Sequence, residues 1–207
     1  MNFIDYMKYT DLYNALETAG MYAFDINDAL KLFPADRKVV KQQIYYWKKL
    51  GWLKPLKKGL YELVYLRKGQ LSDLFVANRL YEPSYVSLET ALSYYSIIPE
   101  VAMGVTSITT KPTREFRNHY GFFAYKSIVE RAYTGYRIID DRGQMVKIAE
   151  PEKALVDYIY FDIELDLDSL RVSRRKLKEL DRERMIDYAS LFTKKVLSKV
   201  EEVYAHL

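Results

Sequence analysis

The stretch DRKVVKQQIYYWKKLGWLKPLKKGLYEL, residues 36–63, constrains the fold more than any other part of the chain. Asp36 is placed to cap a helix and Gly51 to stop it. At about 100° per residue, Val39, Val40, Ile44, Tyr46, Trp47 and Leu50 fall on one arc. Arg37, Lys38, Lys41, Gln42, Tyr45, Lys48 and Lys49 fall on the other, and only Gln43 interrupts the apolar side. The pattern then turns β-rich, with Trp52-Leu53 and Leu60–Leu66 on either side of a Lys57-Lys58-Gly59 turn, which predicts a hairpin.

A helix with one apolar stripe needs partners, and the preceding residues supply two. Thr10 is expected to cap a helix carrying Leu12, Leu16 and Ala19 and stopped by Gly20. Asn27 is expected to cap a second carrying Ala29, Leu30 and Phe33 and ended by Pro34. Three short helices followed by a hairpin is the order of a winged helix-turn-helix, whose third helix enters the major groove while the wing touches the flanking backbone. Residues 1–68 are therefore expected to form such a domain, with a second domain over 69–207.

Charge sharpens this expectation. Residues 31–68 hold eleven Lys/Arg against two acids, Asp36 and Glu62, a net of +9. Residues 1–30 come to −4 and residues 69–207 to −1, so one segment carries the whole excess of a chain at +4. Such concentration is the electrostatic footprint of a polyanion partner. Arg37, Lys38, Lys41, Lys48, Lys49, Lys54, Lys57 and Lys58 suit duplex phosphates, and Gln42, Tyr45 and Arg37 suit base edges or sugar-phosphate oxygens. The plain alternative is a solvated lysine-rich helix face. With 49% hydrophobic and 29% charged residues the chain is expected to fold and not to be disordered. It has no cysteine, no apolar run near 18 residues and no signal pattern at its start, so a cytoplasmic location without membrane contact is expected.

The remainder predicts an α+β domain. Gln70–Tyr81 suggests a connecting helix, Tyr85-Val86 a short strand, and Ser87 the cap of a helix whose inward residues are Leu88, Ala91, Leu92 and Tyr95. VTSITTK, FRNHYGFFAYKSI and YRIIDDRGQMVKIA read as strands, with turns at Asn118, Gly121 and Asp141-Arg142-Gly143. Glu150-Pro151-Glu152-Lys153 opens a helix, ALVDYIYF, and the tail from Leu170 to Leu207 reads as helical.

YVSLETALSYYSIIPE, VTSITTKPTREF, GFFAYKSI, GYRII and KIAEPEKALVDYIYF, with the wing GWLKPLKKGLYEL, resemble the antitoxin of bacterial abortive-infection (AbiE) type IV toxin–antitoxin systems, over roughly residues 10–165. The resemblance implies a DNA-binding N-terminal domain that represses its own operon through inverted repeats. It also implies a C-terminal antitoxin domain that counters a nucleotidyltransferase-type toxin, with no stable complex assumed. It supplies no catalytic residues and no cofactor. The positions it matches are Ser87, Leu88, Glu89 and Ala91, then Thr109 and Thr110, then Pro151, Glu152, Lys153, Ala154 and Asp157. Each also has a framework reading: Ser87 and Glu89 as a cap and a first-turn acid, Lys153 and Asp157 as an i,i+4 pair. The competing reading of the whole is a stand-alone transcription regulator whose C-terminal domain binds a ligand or dimerises.

An enzyme is not expected. Glu152 and Lys153 are adjacent and would point to opposite faces of a strand, and Pro151 suits a helix start better. Asp162, Glu164, Asp166 and Asp168 alternate as a metal-bearing strand would, but no glycine-serine turn precedes them, and a solvated edge or helix-entry run is the better account. His119 and His206 are far apart, and no phosphate-cradling glycine loop is present, so no metal or nucleophilic site is expected. Arg171, Arg174, Arg175 and Lys178 would share one face of a helix as a second basic patch, though Glu179, Asp181 and Glu183 follow closely.

Overall fold

The computed structural model describes residues 7–33, 35–99, 103–164 and 171–205; Pro34, Asp166, Asp168, Leu170 and His206, named above, lie outside them. The chain is α+β and divides into two compact units, Met1–Ser72 and Asp73–Leu207.

The first unit runs α1 (Tyr9–Thr18), β1 (Ala23–Asp25), α2 (Ile26–Leu32), α3 (Arg37–Lys49), β2 (Leu53–Lys57) and β3 (Leu60–Leu63), with an antiparallel sheet in the order β1-β3-β2. Two expected caps are corrected. Thr10 lies inside α1, behind Lys8, which caps with backbone only. Asn27 lies inside α2; Asp25 caps it instead, accepting from the backbone of Asn27 and Asp28, while Asp28 reaches back to the Asp25 amide at 3.0 Å. That reciprocal box outcompetes a lone Asn27 because it satisfies donors at both ends. Asp36 caps α3 as its position predicts, accepting from Lys38 N at 2.6 Å, and Gly51 follows the helix at φ +74°.

Val40, Ile44 and Trp47 of α3 enter a core built with Leu12, Leu16, Phe24 and Ala29, closed by Leu53 and Leu63 of the sheet. The expected apolar arc is wider than the buried one. Tyr46 is 58% and Leu50 43% exposed, whereas Gln43 is buried. Tyr46 lies roughly 120° from Val40 around the helix and Gln43 only about 60°, so the neighbours close over Gln43 first. The hairpin also differs from expectation: β2 begins at Leu53 and takes in Lys54, Pro55 and Lys57, Trp52 precedes it, and β3 ends at Leu63. Pro55 fits because β2 is an edge strand with no neighbour needing its missing N–H.

The second unit is a six-stranded mixed sheet in the order β6-β7-β5-β4-β9-β8. Its strands are β4 (Ser84–Val86), β5 (Val105–Thr109), β6 (Arg114–Asn118), β7 (Gly121–Ser127), β8 (Tyr136–Asp141) and β9 (Gln144–Ala149). Its first three helices are α4 (Asp73–Leu80), α5 (Leu88–Tyr94) and α6 (Pro151–Phe161). Tyr125 pairs with Ser107 and Tyr85 with Ile108, so the two tyrosines point to opposite faces of the sheet. Tyr125 donates to Ala77 O of α4 and Tyr85 to Asp157 of α6, which places those helices on opposite faces. The β8–β9 turn has Arg142 and Gly143 at φ +58° and +78°, the left-handed pair a two-residue hairpin requires.

The helix expected over Gln70–Tyr81 starts only at Asp73. The tail is helical as expected, in three pieces: α7 (Arg174–Lys178), α8 (Arg182–Ser190) and α9 (Lys194–Ala205), with Ser173 and Asp181 capping the first two. The acidic run FDIELDLDSL is not a strand where it is described, since Asp162 caps the C-terminus of α6 and Glu164 sits in the turn after it.

Strand β4 is short, and it meets β9 only at Val86 and Ile148. Beside that pair the Asn78 side chain stands in for a strand: its amide donates to Lys147 O at 3.2 Å and accepts from Lys147 N at 2.5 Å. Asn78→Ala leaves both backbone groups partly buried and unpaired, and should cost about 2 kcal/mol. Urea unfolding that registers less than about 0.5 kcal/mol would show that water replaces the amide there.

Candidate nucleic-acid interface and a buried ion pair

Cations and hydrogen-bonding groups line the outer side of α3. Arg37, Lys38, Lys41, Gln42, Tyr45, Lys48 and Lys49 are all exposed, and the helix contains no acid. Arg37 donates from its guanidinium to Asn27 Oδ1 at 2.9 Å, which ties the start of α3 to α2. At the other end the Tyr45 ring lies under two ammonium groups, Lys48 at 5.6 Å and Lys49 at 4.9 Å. The hydrogen bond with Lys49, followed by that ammonium's charge, holds the Tyr45 phenol below its ordinary range. Cations at the C-terminal end also suit the helix dipole. In the adjoining hairpin Lys54 and Lys58 are exposed and Lys57 is half-buried. Of the described acids in this unit, Asp25, Asp28 and Asp36 serve helix N-termini, Glu62 is buried in the sheet, and Asp11 and Glu17 are exposed on α1.

The second basic patch does not form as expected. Arg171, at φ +48°, precedes a helix that begins only at Arg174, so the four cations share no helical face. Arg174, Arg175 and Lys178 are exposed, and Glu179 lies among them, 3.6 Å from Arg175 and 2.7 Å from Lys176.

The positions matched in the second unit have mostly inward roles. Lys153 and Asp157 form an i,i+4 ion pair in which both side chains are 0% exposed. Asp157 Oδ1 accepts from Lys153, while its Oδ2 accepts from Ser87 Oγ at 2.8 Å and from Tyr85 OH at 3.0 Å. Lys153 Nζ also donates to Tyr85 OH at 3.0 Å and stands 5.0 Å over the Phe192 ring. Burial pushes the Asp157 carboxyl up, against the pull of Lys153, Ser87 and Tyr85; burial pushes the Lys153 ammonium down, against Asp157. Ser87 occupies the N-cap position of α5, but its hydroxyl serves Asp157 and not the helix, which corrects its reading as a side-chain cap.

Thr109 is buried and donates to Pro83 O at 2.7 Å, and Thr110 is half-buried. Glu89 is half-buried with Oε2 unpartnered among the described residues. Glu152 is buried and accepts the Asp181 amide at 3.1 Å, so a first-turn acid of α6 holds the start of α8. Tyr85 is the member that pattern reading missed, because a tyrosine in a short strand looks like ordinary core. Its neighbour Val86 is core, and only the partner set distinguishes the two.

Among the described residues, no three of His, Asp and Glu lie close enough to hold a metal ion, and no helix is long and apolar enough to cross a membrane. No protein-family model matches the chain, and no curated protein matches it.

Removing one partner of a sealed ion pair strands the other charge. Lys153→Met or Asp157→Leu alone should cost about 3–5 kcal/mol, and the double substitution clearly less than their sum. A double-mutant cycle by chemical denaturation checks this, and simple additivity would mean that the pair is not coupled.

Proposed function

We propose that the chain is a DNA-binding autorepressor with an antitoxin domain. The first unit acts as a winged helix-turn-helix, with α3 as the groove helix and the β2–β3 hairpin as the wing. The observation that carries this reading is the acid-free outer face of α3, on which every outward position is a cation, an amide or a phenol. The element order and the added strand β1, which holds the hairpin in a three-stranded sheet beside the helices, support it. The second unit counteracts a nucleotidyltransferase-type toxin, without a requirement for a stable complex. The blocks of sequence that resemble AbiE antitoxins support that part, and two of them, YVSLETALSYYSIIPE and KIAEPEKALVDYIYF, meet in one buried network through Tyr85, Ser87, Lys153 and Asp157. The DNA partner is a duplex operator, with inverted repeats implied by the same resemblance.

Converting Lys41, Lys48 and Lys49 to Glu together should abolish the gel shift of the duplex upstream of the coding sequence. If about five cations meet phosphate, log affinity of the unaltered chain falls against log salt with a slope of about −4 to −5. A shift that survives the triple reversal, or a slope near zero, removes the DNA-binding reading. The antitoxin part is tested separately, by co-expressing the full chain with the product of the adjoining gene. Restored growth is the expected result, and arrest in the presence of full-length chain leaves repression alone.

A further inference from the structure

Three outward residues of α3 carry groups suited to a base edge, Arg37, Gln42 and Tyr45, and their surroundings separate them. Arg37 is the first residue of the helix, and its guanidinium is engaged with Asn27 Oδ1 at 2.9 Å. Tyr45 lies beneath the ammonium groups of Lys48 and Lys49, and together they make a cationic pad toward the C-terminal end. Gln42 is exposed and sits one residue from the middle of the 13-residue helix. Such a helix is about 20 Å long, while the major groove of B-DNA is about 12 Å wide, so its ends meet the phosphate walls and its middle faces the base edges.

Within roughly 6 Å of that middle, at 1.5 Å per residue, the outward residues are Lys41, Gln42, Tyr45 and Tyr46, and each tyrosine offers one hydroxyl where Gln42 offers a planar amide. Lys41 offers donors only, on a compact ammonium. Gln42 carries an acceptor and a donor on one planar group, the complement of the N6 amine and N7 of adenine. We infer that Gln42 reads sequence, pairing with an adenine in the major groove, while the lysines around it supply affinity that is indifferent to sequence. The inference rests on the DNA-binding reading and adds to it which residue discriminates.

Gel-shift titrations of the full chain compare the duplex upstream of its coding sequence with a scrambled duplex of equal length. Gln42→Ala should shrink the preference for the first by about tenfold to a hundredfold. Lys48→Ala should weaken both and keep their ratio. Changing A·T pairs of the operator to G·C one at a time should reveal a position where the unaltered chain loses affinity and Gln42→Ala loses none. An undiminished preference in Gln42→Ala overturns the inference and leaves DNA binding standing. A chain that binds both duplexes equally also overturns it, and one that binds neither overturns the DNA-binding reading itself.

Discussion

The Lys153–Asp157 pair is the interaction on which the second unit depends. Two full charges without water are tolerable only if each has its remaining hydrogen-bonding directions met. Lys153 spends its three donors on Asp157, the Tyr85 hydroxyl and the face of Phe192. Asp157 fills its other oxygen from Tyr85 and Ser87. Those partners come from β4, from the entry to α5 and from the segment between α8 and α9, so meeting the needs of one ion pair fixes the sheet and three helical elements together. The loop before β8 obeys the same constraint. A Cβ at Gly135 would stand 2.9 Å from Lys153 Cγ and 2.8 Å from the Tyr188 ring, at a φ of +73°. Only glycine lets the chain pass that close to the buried lysine.

The first turn of α6 extends the same logic outward. Glu150 accepts from Tyr188 at 2.6 Å and pairs with Arg184, and Glu152 accepts the backbone of Asp181. Partial burial pushes the Glu150 carboxyl up, but the hydrogen bonds from Tyr188 and Arg184 with the guanidinium charge outweigh it and leave the group below its ordinary 4.5. Its contribution is therefore present above that pH and is lost as pH falls through the lower folded value. Acids at the positive end of a helix dipole thus hold the tail in place. The two units use charge differently: the second neutralises key charges internally, whereas the first leaves lysines of one sign facing outward. With no acid in α3 beside them, the lysines of that helix repel one another, and a polyanion would relieve that repulsion.

Local chemistry was the legible part of the sequence. Asp36, Gly51, Pro151 and the Arg142-Gly143 turn announce their conformations because each acts within a few residues of itself. What escaped depends on partners distant in the chain. Strand β1 is three residues long and exists through its pairing with β3, almost forty residues on, a spacing no periodicity marks. Lys153 and Asp157 could be paired from their spacing, yet their burial depends on Tyr85 and Ser87, about 70 positions away. Tyr46 and Leu50 were misplaced for a related reason, since amphipathicity says which side of a helix faces inward and not how far round the neighbours reach. The tail reads as helical and is helical where it is described, and Ser173 and Asp181 start α7 and α8 by local capping.

The recognition proposed for α3 would require that the helix be held still, and a single tyrosine does much of the holding. The Tyr9 ring meets Trp47 edge-on at 5.4 Å and Trp52 at 5.1 Å, and Tyr65 stacks on Trp52 at 4.8 Å. The Tyr9 hydroxyl lies 3.1 Å from Trp52 O and 2.9 Å from Tyr65 O, so the residue that packs on the buried side of α3 also anchors both ends of the hairpin. The outward face and the hairpin are thereby fixed relative to one another before any ligand arrives. The two kinds of contact need this unequally. A lysine on a four-carbon stem finds a phosphate from many starting positions, because the attraction is long-ranged and has little angular demand. An amide matched to two atoms of a base edge tolerates little displacement, so the aromatic packing behind α3 would matter more to the proposed discrimination than to affinity.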